Sequence, residues 1–113
     1  MRLKHIDLQV PDLDAARHFF ETFFGLRCTY QRRKQISFFK DETGFEFAVS
    51  NLFNSPPPTY PTDFHIGFIA DRTAEVREIY DRLTAAGVSV TKSVFQSIGP
   101  DSIPVEVRAP KDS

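Results

Sequence analysis

Hydrophobic and polar residues alternate along two short segments of the chain, residues 3–10 and 64–70. This alternation is typical of strands that are buried on one face. Apolar residues then recur at helical spacing over 13–24 and 74–86, which predicts two amphipathic helices. Their predicted buried stripes are Leu13, Ala16, Phe20, Phe23 and Phe24 in the first, and Val76, Ile79, Tyr80, Leu83 and Ala86 in the second.

The ends of both helices carry the residues that helix termini favour. Asp12 or Asp14 and Thr73 are predicted N-caps, because their side-chain oxygens can accept the first free amide protons. Gly25 and Gly87 are predicted to end the helices. Three short strands are predicted after each helix, at 26–31, 35–40 and 44–50, then at 88–91, 93–98 and 103–108. The predicted fold class is α+β, with the order βαβββ occurring twice.

The two halves of the chain repeat each other. At one offset of 60 residues, His5 falls on His65 and Glu46 falls on Glu106. Internal repeats of this kind indicate duplicated structural units. We therefore expect a single domain, 1–113, made of modules 1–50 and 64–113. Residues 51–63, which include Pro56-Pro57-Pro58, are predicted to form a stiff linker between the modules.

Four polar residues are predicted on the sheet face away from the helices. Side chains alternate between the faces of a strand, and the apolar neighbours of His5, Glu46, His65 and Glu106 are the residues suited to packing under a helix. Packing in the last strand is assigned to Ile103, Val105 and Val107. Two imidazoles and two carboxylates suit a divalent Zn, Ni, Co, Mn or Fe ion.

The alternative for each of these residues is an ordinary solvated position on an open sheet. The same alternative applies to other polar residues of that face, which can contact a substrate or only water: Asp7, Gln9, Ser50 and Arg108. His18, on the polar side of the first helix, has no repeat counterpart and is interpreted as a surface residue.

Composition excludes several classes of function. The net charge is -1 and the one basic cluster, Arg32 to Lys34, is short enough to be a hairpin tip, so nucleic acid is not an expected partner. Lone Cys28 cannot form an intramolecular disulfide, which favours a reducing compartment, and the N-terminus lacks the apolar run of a signal peptide or membrane span. We expect a cytoplasmic protein with no membrane partner. The 12 Phe residues fit either an aromatic core or an apolar pocket.

Three stretches of the chain resemble the vicinal oxygen chelate superfamily. HIDLQVPDLDAARHFFETFFGL resembles the opening of such proteins, HIGFIADRTAEVREIYDRLTAAGV their second module, and GPDSIPVEVRAP their closing strand. The resemblance implies cupped mixed sheets around a metal, with the helices on the outer face. The metal ligands of glyoxalase I fall on His5, Glu46, His65 and Glu106.

The resemblance also implies a function. A glyoxalase-like lyase or isomerase would act on a small oxygenated substrate by proton transfer next to a carbonyl, with Glu106 or Glu46 as the catalytic carboxylate. Family members of this length commonly form homodimers. The alternatives are a metal-free antibiotic-binding protein of the bleomycin-resistance type and an Fe(II) dioxygenase. Glu46 favours the glyoxalase branch, since the dioxygenases and fosfomycin-modifying thiol transferases lack a ligand there.

Two features depart from the family pattern. Gly99-Pro100-Asp101-Ser102 stands where the family usually has Asp-Pro-Asp-Gly, and the predicted hairpin at 90–94 is short. The sequence also shows no set of basic residues suited to the carboxylates of glutathione. The substrate is therefore left open.

Overall fold

The computed structural model of the protein describes residues 1–56, 58–61, 63–88, 90–91, 96–98 and 104–109. The chain divides into two compact units, Met1–Thr59 and Tyr60–Ser113, and each is described by itself. Both units contain one helix and one mixed four-stranded sheet, so the predicted α+β class is confirmed. In the described residues, no helix is long and apolar enough to cross a membrane.

The first unit has the order βαβββ. Its elements are β1 (His5–Gln9), α1 (Leu13–Phe24), β2 (Arg27–Arg32), β3 (Ile36–Lys40) and β4 (Glu46–Ser50). The strand order in the sheet is β1-β4-β3-β2, with β1 parallel to β4 and the other pairs antiparallel. The predicted basic hairpin tip is confirmed, since Arg33 forms the turn between β2 and β3 with a φ of 51°.

Helix α1 packs on one face of this sheet through aromatic side chains. The ring of Phe20 lies 5.0 Å from that of Phe47 and 6.3 Å from that of Phe39, measured between centroids. The predicted stripe was wrong in omitting Phe19, which is 2% exposed. Phe23 and Phe24 of the predicted stripe are only half-buried. Phe19 packs edge-on against Phe20, with centroids 5.2 Å apart. Four Phe residues, Phe19, Phe20, Phe39 and Phe47, thus belong to the described core of the first unit, beside smaller aliphatic residues.

The predicted helix caps have mixed outcomes. Asp12 is the N-cap of α1, and its Oδ1 accepts a hydrogen bond from the amide of Ala15 at 3.1 Å. The prediction for Thr73 was wrong: the helix begins one residue earlier than expected, so Arg72 is the N-cap and provides no side-chain cap. Gly25 ends α1 with a φ of 64°, which glycine adopts without strain.

The second unit repeats the topology with a smaller described core. Its elements are β5 (Ile66–Ile69), α2 (Thr73–Ala85), β6 (Val90–Thr91), β7 (Gln96–Ile98) and β8 (Pro104–Arg108). The strand order is β5-β8-β7-β6, and β5 is parallel to β8. In α2 the one fully buried residue is Leu83, and Ala86 is exposed rather than packed because it lies just beyond the helix, at its C-cap.

Some strand predictions differ from the structure, and some fall outside it. Strand β1 begins at His5 instead of residue 3, and Ile6 on its helix-facing side is 37% exposed, because β1 is an edge strand. The predictions for 93–95, the turn 99–102, Ile103 and most of the hairpin at 90–94 lie outside the described residues.

Candidate metal-binding site

The first unit holds one His–Glu pair on its sheet. His5 in β1 is the direct neighbour of Glu46 in β4 across the parallel strand pair. The Nδ1 atom of His5 lies 3.9 Å from Oε2 of Glu46, and the two side chains are 48% and 37% exposed. The imidazole also stacks on the ring of Phe38, at 6.1 Å between centroids and 30° between planes, which limits the orientations of the ring.

This pair lies on the sheet face opposite α1, as the alternation of the sequence predicts. Phe47 and Val49 of β4 are buried on the helix side, whereas Glu46 and Ser50 are half-buried on the other side. We call this the site face of the sheet, and we use the same name for the face of the second sheet that carries Glu106. Ala48 also belongs to the site face of the first sheet and is fully buried, so this face is not solvated along its whole length.

Two aromatic residues on the site face were missed by sequence reasoning. The strand register places Phe38 next to Ala48, and Tyr30 next to Phe38. Tyr30 reaches this face because of an irregularity between Cys28 and Tyr30 that shifts the register of β2. The alternation of residues 36–40 could have placed Phe38 on the site face, once β3 is paired with β4. The register shift in β2, which brings Tyr30 there, has no sequence signal that we recognise.

The second unit holds the other His–Glu pair. His65 immediately precedes β5, and its Nε2 atom lies 3.4 Å from Oε2 of Glu106 in β8. The side chain of Glu106 is 19% exposed, which makes it the more shielded of the two carboxylates. Val105 and Val107, on either side of it in the strand, are buried beneath the helix face, as predicted.

The two pairs are built with different strand registers. In the first unit His5 is opposite Glu46, but in the second the residue opposite Glu106 is Gly67. Backbone hydrogen bonds give the same shift, since Val10 donates to the carbonyl of Ser50 whereas Ala70 donates to that of Arg108. The shift is two residues, which keeps every side chain on its face because side chains alternate with a period of two.

The orientation of His65 is fixed by a backbone carbonyl. Its Nδ1 lies 3.0 Å from the carbonyl oxygen of Asp63, and because a carbonyl only accepts, Nδ1 must carry the proton. In the neutral ring, Nε2 is then a lone-pair acceptor aimed at the carboxylate of Glu106. Two acceptors at this distance can bind one metal cation between them.

The chemistry of each pair fits a divalent metal ion. Imidazole nitrogen and carboxylate oxygen each bind zinc at about 2.1 Å, so two such donors on one ion lie roughly 3.0 to 3.4 Å apart. The separation of 3.4 Å between His65 and Glu106 agrees with this range, and the 3.9 Å between His5 and Glu46 is slightly longer. Histidines that bind metals typically donate their other ring nitrogen to a carbonyl or carboxylate, and His65 makes such a contact with Asp63.

The four predicted ligands therefore lie in two pairs, one in each unit. Within either unit, the described His, Cys, Asp and Glu residues form no group of three or more that could hold a metal ion. The joining of both pairs into one four-residue site stays a prediction. His18 lies on α1, with its Nδ1 3.4 Å from the hydroxyl of Thr22, as a surface residue would.

Charged and polar neighbours surround the two pairs. Lys40 is the strand neighbour of Glu46, and the hydroxyl of Ser50 donates to Oδ1 of Asp7 at 2.8 Å. In the second unit, Nε of Arg108 lies 3.8 Å from Oε1 of Glu106. Each pair thus has a basic residue close to its carboxylate.

The chain is similar in sequence to known proteins of one superfamily. The chain matches the sequence profile of the Glyoxalase/Bleomycin resistance protein/Dioxygenase superfamily over residues 2–98, a range that ends before Glu106. An uncharacterized protein of Pseudomonas aeruginosa is 34% identical over 96 residues, which cover 78% of this chain and 67% of that protein.

Two solved structures are similar over nearly the whole chain. The structure of a possible glyoxalase from Bacillus cereus is 32% identical with a TM-score of 0.87, covering 95% of this chain and 97% of that one. Lactoylglutathione lyase from Agrobacterium tumefaciens has a TM-score of 0.75 and 24% identity, with 97% and 94% of the two chains covered. The second likeness concerns the fold alone.

Proposed function

Since the chain belongs to the glyoxalase/bleomycin resistance protein/dioxygenase superfamily, we propose that it is a metal-dependent lyase or isomerase of the glyoxalase type. It would move a proton next to a carbonyl group of a small oxygenated substrate. The observation that supports this most directly is the presence of one His–Glu pair on the site face of each unit, His5 with Glu46 and His65 with Glu106.

In this proposal the two pairs hold one divalent ion, of Zn, Ni, Co, Mn or Fe. Bound there, the ion would supply Lewis-acid chemistry, which makes a proton next to a substrate carbonyl more acidic. The neutral imidazoles of His5 and His65 supply nitrogen donors. Asp63 holds the ring of His65 through its carbonyl, so that Nε2 is already directed at Glu106 before anything binds.

Glu106 is the proposed general base. A carboxylate within hydrogen-bond reach of the reacting carbon can remove a proton and return it to the neighbouring carbon. Its side chain is 19% exposed, which is less than that of Glu46, and it lies beside the ring of His65. Glu46 is more exposed and lies beside Lys40, so we assign it mainly to holding the metal.

The proposal also concerns the partners, the oligomeric state and the cellular location of the protein. A small molecule is the expected partner, and the protein would work as a homodimer, as family members of this length commonly do. The lone, half-buried Cys28 is consistent with the reducing conditions of the cytoplasm.

The metal content of protein purified without chelators tests this function. Elemental analysis would compare the wild type with the double variant His5→Ala, His65→Ala and with the single control variant His18→Ala. The control removes an exposed imidazole on α1, whose Nδ1 lies 3.4 Å from the hydroxyl of Thr22. We expect about one Zn, Ni, Co, Mn or Fe ion per site in the wild type and the control, and its loss in the double variant.

A metal-binding result would be followed by assays on methylglyoxal hemithioacetals and related hydroxy carbonyl compounds. If the wild type holds no metal and binds none when it is added, the metal-dependent function is wrong. Equal metal content in the wild type and the double variant would reject these histidines as ligands.

A further inference from the structure

Arg108 lies on the site face two residues beyond Glu106 in the same strand, β8. The basic neighbour of the first pair, Lys40, lies instead on the adjacent antiparallel strand. In the 60-residue repeat the position of Arg108 corresponds to Ala48, which is fully buried. Relative to the neighbouring parallel strand, Arg108 takes the position of Ser50, which is not basic either. The fold therefore does not require a long basic side chain at this point. A function specific to the second unit would explain why an arginine stands at this position.

The contact between Arg108 and Glu106 is loose. It joins Nε to Oε1 at 3.8 Å, which is longer than a hydrogen bond, and the arginine side chain is 71% exposed. Exposed pairs of this kind contribute little to the stability of a fold. The guanidinium can therefore turn away from Glu106 at small cost.

The charge around Arg108 also limits what it can bind. Of the described side chains on the site face of β5 and β8, Arg108 is the one arginine or lysine; the others are His65, Gly67, Ile69, Pro104 and Glu106. A single guanidinium fork matches a planar carboxylate through two parallel hydrogen bonds. One positive charge beside a glutamate suits a singly charged anion better than a doubly charged phosphate.

We propose that Arg108 binds a carboxylate of the substrate and thereby determines which substrates the site accepts. This rests on the proposed metal-dependent function, because Arg108 would bind the carboxylate of the same substrate from which Glu106 removes a proton. Arg108 would turn from Oε1 of Glu106 toward the substrate, which leaves that oxygen of the base available for the proton.

The test compares two ligands that differ in one charge. Malate presents vicinal hydroxyl and carboxylate oxygens plus a second carboxylate, and in its 4-amide this second carboxylate is replaced by a neutral amide of nearly the same shape. Co²⁺ would first be titrated into the metal-free protein by calorimetry, and both ligands would then be titrated into the Co²⁺-loaded protein. The proteins are the wild type, Arg108→Gln, Arg108→Lys and the control Arg72→Gln.

Arg72 is a matched control because it forms a similar exposed ion pair, with Nε 3.4 Å from Oε1 of Glu75 and 67% exposure, at the start of α2. We expect the wild type and Arg72→Gln to prefer malate over its amide about tenfold more strongly than Arg108→Gln does. Arg108→Lys, which keeps the charge but not the fork, should retain part of the preference.

An unchanged preference in Arg108→Gln would overturn the role of Arg108 while leaving the metal site intact. If no protein takes up Co²⁺, the metal-dependent function fails and this proposal fails with it. The metal titration therefore separates the two results.

Discussion

The carboxylate of Glu106 faces the ring of His65 at 3.4 Å, although the residue opposite Glu106 on the adjacent strand is Gly67. Glu106 therefore reaches His65 along a diagonal, past a position that has no side chain. In the first unit His5 and Glu46 are direct neighbours, and no such diagonal is needed. Gly67 is the feature that keeps space open between the members of the second pair.

Replacing Gly67 with leucine should weaken metal binding. The new side chain would lie on the site face beside Glu106 and crowd its approach to His65. Changes beside metal ligands typically reduce affinity about 10- to 100-fold, and we expect a loss of that order. Calorimetric titration of Co²⁺ into the metal-free variant measures it, with circular dichroism to verify the fold.

Gly67→Ala is the matched control for this prediction. A Cβ at this position would lie 3.9 Å from the carbonyl oxygen of Glu106, which is an ordinary contact. The alanine variant should therefore bind Co²⁺ like the wild type. Wild-type affinity in the leucine variant as well would mean that the space beside Glu106 is not needed.

Replacing Glu106 with glutamine should abolish turnover while preserving the fold. The amide has the same shape but cannot accept a proton, so the general base is lost, at a cost on the order of 10²- to 10⁴-fold in rate. The rate with methylglyoxal hemithioacetal is the measurement, and Glu75→Gln in the first turn of α2 is the control. Wild-type turnover in the Glu106 variant would remove this residue from the mechanism.

The sequence predicted the order of elements and the face of each candidate residue because both depend on local periodicity. The alternation around Glu46 and Glu106 alone places them opposite the helix, and the structure agrees. Register could not be predicted in the same way, since the 60-residue repeat aligns Glu106 with Glu46 but says nothing of the strand opposite. The two-residue difference between the units depends on contacts between distant parts of the chain.

The other features that the sequence did not predict also depend on how separate parts of the chain pack together. The register shift that brings Tyr30 to the site face depends on how β2 pairs with β3, and the burial of Phe19 depends on which rings fill the space beneath α1. Neither follows from spacing along the chain. The exposed position of Ile6 reflects an edge strand, which is a property of the sheet rather than of its sequence.

The turn after β3 should make the free energy of unfolding decrease at acid pH. Burial raises the pKa of Asp41, but hydrogen bonds from the hydroxyl of Thr43 and the amides of Phe45 and Thr43 outweigh it and hold the pKa below the ordinary value. A lowered pKa in the folded state means that the stabilisation is complete above the unfolded-state pKa of about 3.9 and is lost as the pH falls through the folded value.

Asp41→Asn should therefore be less stable than the wild type at pH 7, and the difference should shrink below about pH 4. Urea unfolding at a series of pH values between 7 and 2.5 measures this difference. Glu42→Gln, which removes a charge from the same turn without touching those hydrogen bonds, should leave the pH dependence in place. A difference between Asp41→Asn and the wild type that stays constant down to the lowest pH would contradict the argument.

Replacing Ser37 with alanine should stabilise the protein. Its side chain is fully buried in β3, on the face that packs under α1, and its hydroxyl has no hydrogen-bond partner within the described part of the chain. A buried hydroxyl without a partner costs at least about 1 kcal/mol, so Ser37→Ala should raise the free energy of unfolding by roughly that amount. Ser50→Ala is the control, because the hydroxyl of Ser50 donates to Asp7 and its loss should lower stability. Urea unfolding of both variants at pH 7 is the measurement, and a destabilised Ser37→Ala would mean that the hydroxyl is satisfied in solution, for instance by a buried water.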